Sequence, residues 1–175
     1  MKRIQSFEPI VGREPIILIL GSMPSVVSLD RQEYYGHKRN QFWRIMGELF
    51  GFSRDDDYEV RKQSLMSHGI AVWDVFSACE RDGSLDQAIK KPEYNDIVGF
   101  IKEHPSIRAV LLNGKKATDS YRKYFQADLA HIKNYSLGST SPAYTLAYEE
   151  KLNQWKIIEE ILAAKPADNS TFKKN

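Results

Sequence analysis

The chain has 175 residues, with 25 Lys+Arg against 23 Asp+Glu and a formal net charge of +2. That length suits a single domain with a sizeable core, and a composition of 42% hydrophobic and 27% charged residues excludes a disordered or collagen-like chain. The small net charge excludes a uniformly basic binder but not a local basic face. Cys79 is the only cysteine, which excludes an intramolecular disulfide and a thiolate-rich zinc site and points to a reducing compartment. Residues 1–8 contain no apolar stretch of signal-peptide length, and the run at 16–20 is far short of the ~20 residues that span a bilayer. The expectation is a cytoplasmic monomer, one domain over residues 1–165, with a polar tail over 166–175.

In chain order, residues 16–20 are all apolar, as in a strand buried on both faces. Residues 41–50 carry Phe42, Ile45, Met46 and Leu49 at helical spacing. Residues 58–68 follow the acidic Asp55-Asp56-Asp57 and stop at Gly69, which suits a helix dipole and its C-terminal cap. A second strand is read at 69–75 and a helix at 95–103, closed by Pro105. A third strand at 107–112 precedes a helix at 115–125, and a weaker fourth strand follows at 134–137. The last helix, 145–164, aligns Tyr148, Leu152, Trp155, Ile158 and Leu162 on one stripe. Strands alternating with helices predict a parallel sheet covered on both faces. Ligands of such sheets sit beyond the carboxyl ends of the strands.

The first strand is followed by Gly21-Ser22-Met23-Pro24-Ser25, small residues that let backbone N–H groups approach a ligand but match neither a dinucleotide fingerprint nor a phosphate loop. Next comes an aromatic and basic stretch through Tyr34, Tyr35, His37, Lys38, Arg39, Asn40, Phe42 and Trp43, with a charge of +3 over residues 31–44. Basic groups interleaved with tyrosines suit a phosphate backbone and an unstacked base; Phe42 and Trp43 read as core, and Asn40 also reads as a helix cap. Asp74, after the second strand, reads as an acid or base or, more commonly, a strand-end cap, and a small-residue turn is expected at Ser77 and Cys79. Asn113-Gly114-Lys115 after the third strand gives a turn and an amide facing a ligand edge. The fourth strand ends in Ser139, Thr140, Ser141 and Pro142, hydroxyls suited equally to phosphate contact and to a helix-leading loop. Residues 108–123 carry +4 and residues 48–59 carry −4, so the total of +2 conceals segregated charge.

Taken together and in order, these five loop motifs over roughly residues 14–162 resemble the uracil-DNA glycosylase superfamily, and within it the hypoxanthine branch. The resemblance implies an α/β fold, a three-layer α/β/α sandwich on a short, four-stranded, mostly parallel sheet. It implies a monofunctional glycosylase of base-excision repair that flips a deaminated base from damaged DNA and hydrolyses its N-glycosidic bond, with no cofactor, no metal and no membrane partner. It assigns catalysis to Asn40 and the base site to Gly21, Ser22, Met23, Tyr35, Trp73 and Asn113. DNA contacts fall to His37, Lys38, Arg39, Lys115, Ser139, Thr140, Ser141 and Pro142. Ser22 stands where mismatch-specific uracil enzymes carry asparagine, and Ser139 where the classical uracil enzymes carry histidine, which favours hypoxanthine over uracil. A uracil or thymine mismatch glycosylase, a non-catalytic lesion binder of the same fold and an unrelated small-molecule hydrolase remain as alternatives.

Overall fold

The computed structural model describes residues 2–164 and Pro166; the polar tail expected at 166–175 otherwise lies outside them. In chain order the strands are β1 (Arg3–Gln5), β2 (Ile17–Gly21), β3 (Ile70–Asp74), β4 (Phe76–Glu80), β5 (Lys90–Tyr94), β6 (Ala109–Asn113) and β7 (Lys133–Leu137). The helices are α1 (Val26–Arg31), α2 (Phe42–Phe50), α3 (Tyr58–Ser67), α4 (Ile97–Glu103), α5 (Lys115–Tyr124), α6 (Tyr148–Trp155) and α7 (Ile157–Ala163).

The central sheet has four parallel strands in the order β3-β2-β6-β7. β2 and the first four residues of β3 and β6 are apolar because alternate residues feed different layers, whereas the edge strand β7 reads Lys-Asn-Tyr-Ser-Leu. Ile17, Ile19, Ile70, Val72 and Leu111 pack with Phe42, Trp43, Leu65, Trp155 and Ile158. Leu18, Leu20, Ala71, Val110 and Leu112 pack with Ile97, Phe100, Ala117 and Tyr121. This is the expected α/β/α sandwich. Registers align Gly21 with Asp74 and Leu20 with Leu112, so the carboxyl ends lie level at one edge.

A second sheet, antiparallel in the order β1-β4-β5, was not expected. It corrects the turn placed at Ser77 and Cys79, which lie within β4. β5 reads Lys-Lys-Pro-Glu-Tyr and is exposed throughout, so no apolar alternation announces it; Pro92 is tolerated because β5 is an edge strand. The single helix expected over 145–164 is divided at Lys156. Its buried stripe runs Leu152, Trp155, Ile158 and Ile161 at three-residue spacing, which places Ile161 rather than Leu162 inward. Among the described residues no helix is long and apolar enough to cross a membrane.

Candidate functional site

The carboxyl ends of β2, β3, β6 and β7 open on a cavity of about 550 Å³, within the range usual for small-ligand sites. Of the residues singled out from sequence, Gly21, Ser22, Met23, Tyr35, Asn40, Asn113, Lys115, Ser139, Thr140 and Ser141 line it. Asp74 joins them, together with residues 84–87 from the connection between β4 and β5.

Gly21 forms a floor that only glycine permits. A Cβ there would lie 2.7 Å from Asp74 Oδ1 and 2.9 Å from the Tyr35 hydroxyl. Asp74 is 3% exposed, and its Oδ2 has no hydrogen-bond partner. It is therefore not the strand-end cap that its position suggests. Burial pushes its carboxyl up to about 7, the Asp86 charge adds to the rise, and the Arg81 guanidinium opposes it. Tyr35 stacks on Phe42 with centroids 4.1 Å apart. Its backbone adopts φ +54°, a region side chains other than glycine rarely enter. Gly36 N–H donating to Ser28 Oγ (2.9 Å) and Arg31 Nη1 donating to the Gly36 carbonyl (3.2 Å) hold that turn. The Tyr35 hydroxyl is buried without a partner, and burial raises its pKa well above the usual phenol.

Asn40 lines the cavity while its Oδ1 accepts from Phe42 N–H at 2.9 Å, so it also holds the first N–H of α2 from the position before the N-cap, Gln41. Asn113 is clamped: its Nδ2 donates to Thr140 Oγ1 (3.1 Å) and its Oδ1 accepts from Thr140 N–H (3.0 Å). Each of those atoms keeps one further bonding position. Ser22 Oγ donates to Asp86 Oδ1 at 2.6 Å, and Val26 N–H donates to Ser84 Oγ at 2.9 Å. These two bonds pin residues 84–87 over the first loop. Nothing in the sequence flags that segment, because it follows no strand of the parallel sheet.

Several expectations need correction. Trp73 lies outside the cavity; its indole N–H donates to the Phe7 carbonyl (3.2 Å) and its ring packs on Phe100, because alternation along β3 turns it from Asp74. Thr140 is fully buried and spends its hydroxyl and N–H on Asn113, so it braces the loop rather than meeting phosphate. Tyr34 is core, with its carbonyl accepting from the Trp43 indole (2.7 Å). His37, Lys38, Arg39 and Pro142, expected at DNA rather than at the base, stand apart from these corrections: they lie outside the cavity, with Lys38 and Arg39 exposed on the loop joining Tyr35 to Asn40. Lys115 is exposed but pairs with Asp119 at 2.5 Å.

The loop after β7 has an unexpected anchor. Lys151 is 1% exposed, and its Nζ donates to the carbonyls of Ser141 (3.2 Å) and Tyr144 (2.7 Å). Burial lowers its pKa. Lys151 shares the helix face of Tyr148 and Trp155, the one sequence signal that it points inward. Among the described residues no group of three or more His, Cys, Asp or Glu side chains is placed to hold a metal ion. The site can therefore offer a buried carboxyl, clamped amides and hydroxyls to a polar, flat ligand.

Comparison with known proteins gives the same direction. A family model described as the uracil DNA glycosylase superfamily matches residues 9–163. Two proteins named hypoxanthine DNA glycosylase, from Methanosarcina barkeri and Methanosarcina acetivorans, are each 40% identical over 114 residues, covering 65% of this chain and 72% of theirs. A solution NMR structure from Methanosarcina acetivorans, described as a candidate uracil DNA glycosylase, superposes with a TM-score of 0.79 at 31% identity. It covers 91% of this chain and 99% of its own.

Proposed function

Because the chain belongs to the uracil DNA glycosylase superfamily, we propose that its cavity takes a flipped hypoxanthine from deoxyinosine-containing DNA and hydrolyses the N-glycosidic bond. The protein is a DNA glycosylase, a hydrolase of base-excision repair. The observation that carries the substrate is Asp74, a buried carboxyl with an unpartnered oxygen on the cavity floor. A carboxyl held up to about 7 keeps a proton near neutrality. The neutral acid can donate to a base acceptor as negative charge grows on the leaving group. Hypoxanthine offers two acceptors on one edge, its C6 carbonyl and N7, where adenine places an amine at C6. The likeness to proteins named for hypoxanthine supports the same reading.

The free face of Tyr35 stacks on the base, opposite the face on Phe42. Asn113, fixed by Thr140, presents its remaining donor and acceptor to the base edge. Asn40 keeps an acceptor position on Oδ1 beside its cap bond and orients a water. The water oxygen bonds to C1′ while the N-glycosidic bond breaks with its electron pair on the base; the base takes the Asp74 proton, and the proton the water gives up on forming the C1′ hydroxyl passes to solvent, from which Asp74 is reprotonated. An oxocarbenium-like sugar is electrophilic enough that orientation, rather than a strong base, is what the water needs. Extrusion is cheapest for a mispaired base. The enzyme acts as a monomer in the cytoplasm; the buried free Cys79 suits a reducing compartment.

The test is alkaline cleavage of a duplex holding one deoxyinosine, beside the same duplex holding one uracil. A break at deoxyinosine is expected. Cleavage at uracil with deoxyinosine intact would overturn the assignment of the base.

A further inference from the structure

Three aspartates line the cavity: Asp74, Asp86 and Asp119. Asp119 is paired with Lys115, and Asp74 is the protonated acid of the floor, with its Oδ2 buried and unpartnered. Asp86 differs from both. Its Oδ1 accepts from Ser22 Oγ at 2.6 Å, which fixes the carboxylate against the loop after β2. Two residues earlier, Ser84 Oγ accepts from Val26 N–H at 2.9 Å, so the segment is held at two points. Among the described residues Asp86 Oδ2 has no hydrogen-bond partner and no cation. The charge of Asp86 bears on both Asp74 and the buried Tyr35 hydroxyl, the two groups that close over Gly21. The carboxylate thus stands over the same floor, oriented by one oxygen and free at the other.

The other polar groups at this floor do not tell a carbonyl from an amine. A protonated carboxyl carries a donor and an acceptor, and so do the Asn113 amide and the Tyr35 hydroxyl. Each finds a partner on adenine as on hypoxanthine. An ionised carboxylate only accepts. Hypoxanthine carries an N1–H donor beside its C6 carbonyl, whereas adenine carries a bare N1 beside its C6 amine. We propose that Asp86 selects the base: its free Oδ2 accepts the N1–H of hypoxanthine while Asp74 donates to the adjacent C6 carbonyl. Facing adenine, the same oxygen would meet the N1 lone pair and leave two acceptors opposed and unpaired. Guanine shares the hypoxanthine edge, and in a duplex its stable pairing makes extrusion costly. The inference rests on the reading of the cavity as a flipped-base pocket and gives the segment between β4 and β5 a role in specificity.

The test compares deoxyinosine with 1-methyldeoxyinosine, which lacks the N1–H, each opposite a tetrahydrofuran abasic analogue so that neither base pairs. Asp86→Asn keeps an oxygen for Ser22 Oγ and removes the charge, and Asp86 is exposed, so folding is not at stake. The variant is expected to lose roughly 10- to 100-fold in kcat/KM on deoxyinosine, the range of a hydrogen bond to a charged group, mostly through KM. On 1-methyldeoxyinosine it should stay within about threefold of wild type, so the preference between the two bases collapses. Equal losses on both substrates would leave Asp86 as a loop pin and overturn the inference, as would no loss on either. If wild type releases neither base, the proposed function has failed. Titration of free hypoxanthine and 1-methylhypoxanthine, followed by backbone amide NMR shifts at the cavity, then decides the role of Asp86 by itself. A preference for hypoxanthine in wild type that Asp86→Asn abolishes supports it. Equal affinity for the two free bases in wild type, or a preference unchanged in the variant, overturns it.

Discussion

Replacing Asp74 by asparagine should make the protein more stable and less active. The native carboxyl is shifted from 3.8 to about 7, a difference that corresponds to roughly 4 kcal/mol of linkage. The direction follows from which state ionises first. Below about pH 4 the group is neutral in both states and adds nothing. Between about 4 and 7 the unfolded chain ionises while the native chain holds its proton, so the penalty on folding grows. Above 7 it is complete. Asparagine has the same shape and no charge to bury, so Asp74→Asn is expected to match wild type near pH 4 and to exceed it at pH 8 by up to about 4 kcal/mol. Urea unfolding at both pH values measures this. The charged groups that bear on Asp74 are Asp86, which raises its pKa, and Arg81, which lowers it; both remain in the variant. Catalysis moves the other way. Wild-type excision should fall as pH rises through about 7, because the proton that meets the leaving base is lost. Asp74→Asn should lack that limb and run roughly 100-fold slower on its plateau, the contribution typical of a positioned acid. A variant that keeps the falling limb, or that is less stable than wild type at pH 8, would refute the reasoning.

Other substitutions probe the same floor and its supports. Gly21→Ala places a methyl 2.7 Å from Asp74 Oδ1 and 2.9 Å from the Tyr35 hydroxyl. It should cost roughly 1–3 kcal/mol in thermal unfolding and most of the excision rate. Asn40→Asp retains an oxygen for Phe42 N–H, so melting should stay within about 0.5 kcal/mol of wild type while turnover collapses; normal turnover would leave Asn40 as a helix cap alone. Lys151→Met removes both ammonium bonds to the loop carbonyls. It should destabilise by about 2–4 kcal/mol and raise KM more than it lowers kcat, as steady-state kinetics on a deoxyinosine duplex will show.

β2, β3 and β6 are readable because each carries an apolar run, whereas β7 reads Lys-Asn-Tyr-Ser-Leu and signals only weakly; the strand-end rule then brings Gly21, Asn113 and Ser139 to one edge. Where local pattern is silent, the reading fails. α1 is six residues long with Ser28 as its buried residue, too little for a periodic signal. Asp74 looks like a strand cap until packing shows its oxygen without a partner. Asn40 both binds the first N–H of α2 and walls the cavity, so the two readings of it do not compete. Thr140 and Trp73 carry plausible chemistry in sequence but are turned to other work by burial and by alternation along a strand.

One residue, Val75, separates β3 from β4, and its N–H is tied to the Gly21 carbonyl at 2.8 Å while Phe76 N–H is tied to the Ser22 carbonyl at 3.2 Å. The crossing between the sheets therefore has no slack. A residue added or removed here would shift Asp74 out of line with Gly21 and break both stitches. Divergence of this scaffold toward other lesions is thus confined to exchanging side chains on the floor, while length can vary in the connection after β4. An engineer wishing to change the base that is removed should hold the segment from Ile70 to Glu80 at constant length and build the new preference by remodelling residues 81–89.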